Sequence, residues 1–428
     1  MIKSIPRFVW PVALVLVVLK LILLIHLNPG LEWNYDERRN GRIADNYLAG
    51  RGYVHYDASR QQFRPDAFHA TFPVFVYVAW QKAGLLKHRF TLLVFALTLA
   101  TYLLGIFYVQ RTLAYYGVGS AAAWSGAGLW SVYPSAIYYI GAYFWYENLT
   151  VPLLILVMYK LVRLYDGRLL NVANALLIAG SVTISCLLRG YLLAVYGLLF
   201  AVWFFLTWRV QARLHRSVWQ LGLLTLVMVS LAHWPILRKN HQLFGAYVLS
   251  NQAGFEFLQG HNSVTEGRFM YSWDEPKGPL SQFVHRYQPN IDKLDQYQES
   301  QARARLAWYW VRTHPGAEAR LWFRKTALFF SPENFISDAG PTAYHPITAA
   351  VHLAFVLAML LTALHYNGLR FYRQDILLLL PLAVIWLMSL VFFVGFRWRY
   401  FAEPTMVMFP IIVWYRVRSR MKATRLGT

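Results

Sequence analysis

Long apolar runs separated by short basic segments constrain this chain more than any other feature it has. An α-helix needs about 20 apolar residues to cross the hydrocarbon core of a bilayer, and several runs reach that length. The first follows Lys3 and Arg7, extends from Phe8 to Leu27 and has no small-residue cleavage site near its end, so it reads as a retained anchor. Counting runs against charge predicts about ten spanning helices. They lie near 8–27, 90–113, 118–140, 148–165, 170–188, 190–208, 217–237, 346–366, 375–396 and 400–416. Only 14% of the 428 residues are charged, against about a quarter in a soluble domain, which agrees with an all-α polytopic membrane protein.

The net charge of +21 does not point to nucleic acid, because a multispanning protein concentrates Lys and Arg in its cytoplasmic loops. With the N-terminus inside, Arg111, then Lys160, Arg163 and Arg168, then Arg209, Arg213 and Arg216, then Arg370 and Arg373 all fall on one side, and the basic tail from Arg416 to Arg425 joins them. Phe72 to Leu86 is apolar but short and interrupted by Lys82, so it reads as an interfacial or re-entrant helix. Two long segments then face outward. Residues 28–88 are expected to hold interfacial helices, and 238–345 a polar, mixed segment before the eighth span. The chain thus divides into an N-terminal transmembrane module (1–237), an outer segment (238–345) and a C-terminal module with a short tail (346–428). The single cysteine, Cys186, lies in an apolar run, forms no internal disulfide and reads as a small buried side chain.

Charges that violate this pattern carry the chemistry. Asp36 and Glu37 follow the end of the first span, where a carboxylate is placed to act as a general base toward an acceptor hydroxyl; a first-turn position in a helix is the competing explanation. Glu147, in YFWYENLT, is an ionisable group among aromatics on the same face, either solvated or functional. Arg189 in LLRGYLL, and Arg397 and Arg399 beside Tyr400 in GFRWRYFAEP, map to the outer boundary, which the charge rule does not explain. Their guanidinium forks suit a lipid phosphate, while snorkelling or a pair with Glu403 would also account for them. In the second outer segment, Glu256, His261, Asn262 and Arg268 lie in a Gly- and Asn-punctuated stretch that reads as a loop returning over a sugar phosphate. The histidines show no metal-ligand spacing, and no nucleotide-binding loop occurs.

In order and spacing these stretches resemble the GT-C superfamily of membrane glycosyltransferases, in particular the protein mannosyltransferase and lipid A aminoarabinose transferase branch. The resemblance covers nearly the whole chain. It rests on Asp36 and Glu37, on Pro134 to Glu147, on Arg189, on LRKNHQLFGAYVLSNQAGFEFLQGHN, on HPGAEARLWFRKTALFFSP and on RWRYFAEP. His69 and Pro73 in FHATFPV stand where that family often has paired prolines. The resemblance implies a GT-C fold in a bacterial inner membrane and an inverting transfer at its periplasmic face. The donor would be a polyprenyl-phosphate sugar, the acceptor a glycan, lipid or protein. Asp36 would be the base, and Arg189 with Arg397 or Arg399 would hold the carrier phosphate. It requires no cofactor, and a divalent cation is not indicated. Two other readings stay open: a ligase or polymerase that takes a diphosphate carrier, and a transporter of lipid-linked sugars. Transporters place ionisable groups near the bilayer midplane, whereas here they collect at one boundary.

Overall fold

The computed structural model of the chain describes residues 9–27, 35–57, 60–85, 87–136, 146–165, 170–208, 215–270, 278–331, 346–364 and 373–426. Helix α1 spans Val9–Leu27 and leads into α2 (Tyr35–Leu48), strands β1 (Val54–Asp57) and β2 (Gln62–Pro65), and α3 (Phe72–Lys82). A run of bundle helices follows: α4 (Lys87–Tyr115), α5 (Ser120–Ser131), α6 (Glu147–Tyr165), α7 (Val172–Leu188), α8 (Leu192–Trp208) and α9 (His215–Phe244). Next come α10 (Gln252–Gly260), α11 (Pro279–Tyr287), a 3₁₀ turn (Ile291–Lys293), α12 (Gln296–Thr313) and α13 (Pro315–Phe329). The chain closes with α14 (Pro346–Leu364), α15 (Arg373–Val391), the short α16 (Phe396–Arg399) and α17 (Glu403–Leu426).

By length and composition, α4, α6, α9 and α14 are long and apolar enough to cross a membrane, and α7, α8 and α15 are apolar and somewhat shorter. Large apolar side chains point outward along α1 (Leu14, Ile22, Ile25), α9 (Leu223, Leu226, Leu231) and α14 (Leu353, Leu360, Leu364). Water would not tolerate such continuous apolar faces, and lipid does. The chain is an integral, multi-pass membrane protein. Between the helices, small residues allow close approach. A Cβ added at Gly105 of α4 would lie 2.7 Å from the Trp130 ring of α5, and one at Gly126 would lie 2.6 Å from Leu113. The buried core runs through these contacts, from Tyr102, Trp130 and Ile155 to Trp203, Phe401 and Phe409.

Helix α3 has 11 residues, about 16 Å at 1.5 Å per residue, so it does not span the membrane, in line with an interfacial helix. Between α2 and α3 the chain forms an antiparallel hairpin pairing Val54 with Pro65 and Asp57 with Gln62. Four-residue strands containing charges give too little alternation to be read from sequence, and the hairpin is absent from the expectations above. The described part of 238–331 is helical apart from connecting stretches, the longest being 245–251 and 261–270. The two segments expected to face outward bind each other: the Asn251 amide donates to the Ala67 carbonyl at 2.7 Å, the Ala67 amide to Gln296 Oε1 at 2.7 Å, and Arg64 to the Leu294 carbonyl at 2.6 Å. Together they form one cap over one end of the bundle, the loop end. Helix α9, at 30 residues about 45 Å long, outruns the bilayer and carries Lys239 and Asn240 into this cap, so the expected boundary at 237 falls inside a continuous helix.

Candidate active site at the loop end

Arg189 occupies the C-cap of α7 with extended backbone (φ −141°, ψ 100°), which breaks the run of apolar residues into α7 and α8. Its guanidinium meets Glu147, the first residue of α6, in a two-point contact: Nε to Oε1 at 2.8 Å and Nη2 to Oε2 at 3.1 Å. Both side chains are buried. The guanidinium also lies 5.2 Å from the centroid of the Tyr146 ring. Tyr146 in turn accepts a hydrogen bond from Asn40 Nδ2 of α2 at 3.1 Å. Asp36 lies four residues, one helical turn, before Asn40 on α2. Asp36 and Glu37 stand in its first turn, where the helix dipole favours acidic residues. Their side chains lie outside the described residues.

A second contact fixes α2 from the other side. Asp66, fully buried after β2, pairs with Arg39 of α2, with His55 Nδ1 of β1 at 2.9 Å and with the Phe68 amide at 2.9 Å. Burial pushes the Asp66 carboxyl up, but Arg39 and His55 outweigh it and hold the group well below the usual carboxylate range. Lys239 of α9 donates to Thr71 Oγ1 at 3.1 Å and lies 3.5 Å from the Tyr53 ring centroid, closing the network.

Tyr191 follows Arg189 by two residues. Its ring packs 5.9 Å from both Trp398 and Phe401, and its buried hydroxyl has no hydrogen-bond partner among the described residues. An unpaired buried hydroxyl is uncommon and marks a place for an external partner. Tyr191 lies in the electrostatic field of Glu147, Arg189, Arg397 and Glu256. Glu256 of α10 lies in the electrostatic field of Arg189 and Arg397, and Gln252 Nε2 donates to its Oε1 at 2.7 Å. Burial pushes the Glu256 carboxyl up to about 7, against the pull of Arg189 and Arg397. The sequence placed Glu256 only within a loop stretch; in a polar segment one acid gives no signal, and its proximity to Arg189 depends on the fold.

The structure separates the remaining expected residues. Arg397 acts electrostatically on Tyr191 and Glu256, while Arg399 is buried, donating to the Ser331 carbonyl at 2.9 Å and lying 3.5 Å from Glu403. Tyr400 is fully buried in the field of Tyr102, Glu403 and Glu147. His261 uses both ring nitrogens within the protein, at 2.7 Å from Glu318 Oε2 and 2.7 Å from the Val391 carbonyl. With Lys325, which donates to the Leu390 and Phe392 carbonyls at 2.8 and 2.6 Å, it satisfies the open end of α15. Burial lowers the Lys325 ammonium to about 7. Asn262 bonds the Leu258 carbonyl and the Val264 amide, which shapes the turn after α10. Arg268 pairs by backbone with Val394, and His69 packs edge-on against Phe68, whose ring contacts Phe255 of α10. Among the described residues no group of three His, Cys, Asp or Glu side chains is placed to hold a metal ion.

No protein-family model matches this chain, and no curated protein does. Among solved structures it is similar to the archaeal oligosaccharyltransferase AglB from Archaeoglobus fulgidus, determined in complex with an inhibitory peptide and a dolichol-phosphate. The TM-score is 0.51 at 13% identity, over 98% of this chain and 51% of that one. The likeness concerns the fold, and the chain spans about half the length of that protein. The all-α polytopic architecture expected from the sequence is the one the chain has, and its fold is similar to that of this oligosaccharyltransferase.

Proposed function

We propose that this GT-C membrane protein transfers a sugar, with inversion, from a polyprenyl-phosphate carrier to an acceptor hydroxyl at the outer membrane boundary. The observation that carries the reading is the loop-end cluster itself: Arg189, Arg397 and a Tyr191 hydroxyl without a hydrogen-bond partner among the described residues, gathered where apolar helices end. Arg groups and a hydroxyl at that depth match a phosphate whose hydrocarbon chain lies in the bilayer. The dolichol-phosphate bound to the structurally similar oligosaccharyltransferase supports a lipid-phosphate ligand for this architecture.

In this reading Asp36 takes the acceptor proton as the acceptor oxygen bonds the anomeric carbon and the carbon–phosphate oxygen bond breaks. Charge grows on the departing phosphate, and preorganised donors from Arg189, Arg397 and Tyr191 stabilise it there; one such donor is worth about 3 kcal/mol in comparable sites. Glu147 holds the Arg189 fork in place. The bond to phosphate already stores the energy of transfer, so the reaction needs no nucleotide on this face. The test is Asp36→Asn with radiolabelled polyprenyl-phosphate sugars. Transfer is expected to fall about 100-fold or more with donor binding retained, and near-normal transfer would sink the assignment.

A second reading, transfer of a whole glycan from a diphosphate carrier, draws on the activity named for the similar structure. Purified protein offered both carriers separates the two. Transport finds less support. The lysine inside α1, Lys20, donates to the Ala136 carbonyl at 3.0 Å and lies 3.3 Å from the Tyr102 ring centroid, so it is locked into packing.

A further inference from the structure

We propose that the outward face of α13 is a binding surface for anionic phospholipid, with Phe323 and Trp322 entering the acyl region of the leaflet at the loop end and Arg320 and Arg324 meeting its phosphates. The proposal rests on the chain being a membrane protein and is independent of the transfer reaction.

The depth of α13 follows from its inner face. Lys325 donates to the Leu390 and Phe392 carbonyls, and Glu318 pairs with His261, which itself bonds the Val391 carbonyl, so two turns of α13 are tied to the end of α15. Trp386, more than a turn inside that end, donates to Thr326 Oγ1 at 3.3 Å. Phe330, just past α13, stacks 6.4 Å from Phe355, more than two turns into α14. Helix α13 therefore enters the bundle from the cap and is a joint between them. Phe323 lies three residues before Thr326, about 4.5 Å of axial rise, and stands near the level where α15 ends whatever the tilt of α13.

The opposite face is apolar along one strip and basic along its flank. Ala319, Phe323 and Ala327, spaced by four, are all exposed, and the Phe323 ring is 79% exposed with Trp322 half-exposed beside it. Continuity decides what covers them. The last turns of α15 expose Leu387 and Val391 to the bilayer, and α13 packs on those same turns, so Phe323 and Trp322 extend a lipid-facing surface that is already there. Aromatic rings gather at such boundaries, with their apolar bodies below the headgroups. Charge then selects the lipid. Glu318 is turned inward to His261, and Glu266, 3.3 Å from Arg324, offsets part of that charge. Exposed Arg320 and Arg324 leave the flank positive by about one unit, and a guanidinium fork matches phosphate oxygens.

The experiment attaches nitrobenzoxadiazole to Phe323→Cys in the full chain, in proteoliposomes of phosphatidylcholine and phosphatidylglycerol; Cys186 is buried and stays unlabelled. A nitroxide on the acyl chain near the headgroup is expected to lower emission at least about twofold, with aqueous iodide almost without effect, because interfacial side chains sit about 5–10 Å deep. Phosphatidylglycerol should be about fivefold enriched at the site, the effect of one net basic charge, so a nitroxide carried by it quenches more than one carried by phosphatidylcholine at equal mole fraction. Arg320→Gln with Arg324→Gln should abolish that difference and keep the depth. Ala327→Cys, on the same strip with both aromatics retained, repeats the measurement without removing Phe323. Strong quenching by iodide overturns the proposal, since the face would meet water. Quenching by neither agent overturns it in favour of a second copy of the chain covering the face. Equal quenching from the two lipids overturns the selection of anionic lipid by Arg320 and Arg324.

Discussion

Arg189 and Glu147 show how a single residue pair joins stability to function. The pair is buried, with two of the three guanidinium nitrogens, Nε and Nη2, meeting the carboxylate, so removing one partner strands the other charge away from water. Breaking a buried pair costs about 3–5 kcal/mol, whereas replacing both partners is close to neutral. Arg189→Gln is therefore expected to lower the thermal unfolding midpoint in detergent, and the double change Arg189→Gln with Glu147→Gln to recover most of it. Polyprenyl-phosphate binding should stay at least about tenfold weaker in both variants, because the phosphate loses its charged donor whether or not the protein is stable. Recovery of binding by the double variant would show that Arg189 serves packing alone. Arg189 and Glu147 were legible in the sequence because a charge bordering apolar runs stands out. Arg399 stood out equally, yet its ion pair with Glu403 and its bond to the Ser331 carbonyl are products of the fold. Glu256 and Tyr191 gave no such signal, since an acid in a polar segment and a tyrosine at a span end are both ordinary.

Helices were read from the sequence where their length and apolar content were decisive, and the elements missed were those held by tertiary contacts. The β1–β2 hairpin has little apolar surface of its own and is secured by Asp66, which reaches Arg39 on α2 and His55 on β1, and by the second outward segment. Depression of the Asp66 pKa fixes the sign of its pH effect. The contribution is fully present above the unfolded carboxylate value of about 4 and is lost as pH falls through that value toward the lower folded one. Hydrogen exchange of the hairpin amides, corrected for intrinsic rates, is expected to show constant protection from pH 8 to about 5 and declining protection below 4. Asp66→Asn should remove about 3 kcal/mol of protection at pH 7 and abolish the acid-dependent decline. Protection unchanged by the substitution would mean that α2 is held by the Asn40–Tyr146 contact without help from Asp66.

At the scale of the molecule, the two ends differ in kind. One end collects the cap and the Arg189 cluster; the other collects basic residues, among them Arg416, which grips Asp375 through two bonds of 2.7 and 2.8 Å and lies 5.6 Å from the Tyr116 ring centroid. Contacts within the protein thus place Tyr116, Asp375 and Arg416 together and Asn40, Tyr146, Glu147 and Arg189 together, without reference to any membrane. The positive-inside rule assigns the first group to the cytoplasm, because Lys and Arg near span ends resist translocation. The native thiol, Cys186, is buried, so exposed cysteines report sidedness on an almost silent background. Ser263, just beyond α10, and Ser419, in the last turns of α17, are both exposed and tolerate conversion to cysteine. A membrane-impermeant maleimide added to intact cells is expected to label Ser263→Cys and to reach Ser419→Cys only after permeabilisation. The reverse pattern would put the Arg189 cluster on the cytoplasmic face, where nucleotide-activated sugars are at hand and a lipid carrier has no chemical purpose, and so orientation alone would separate the proposed transfer from a cytoplasmic one.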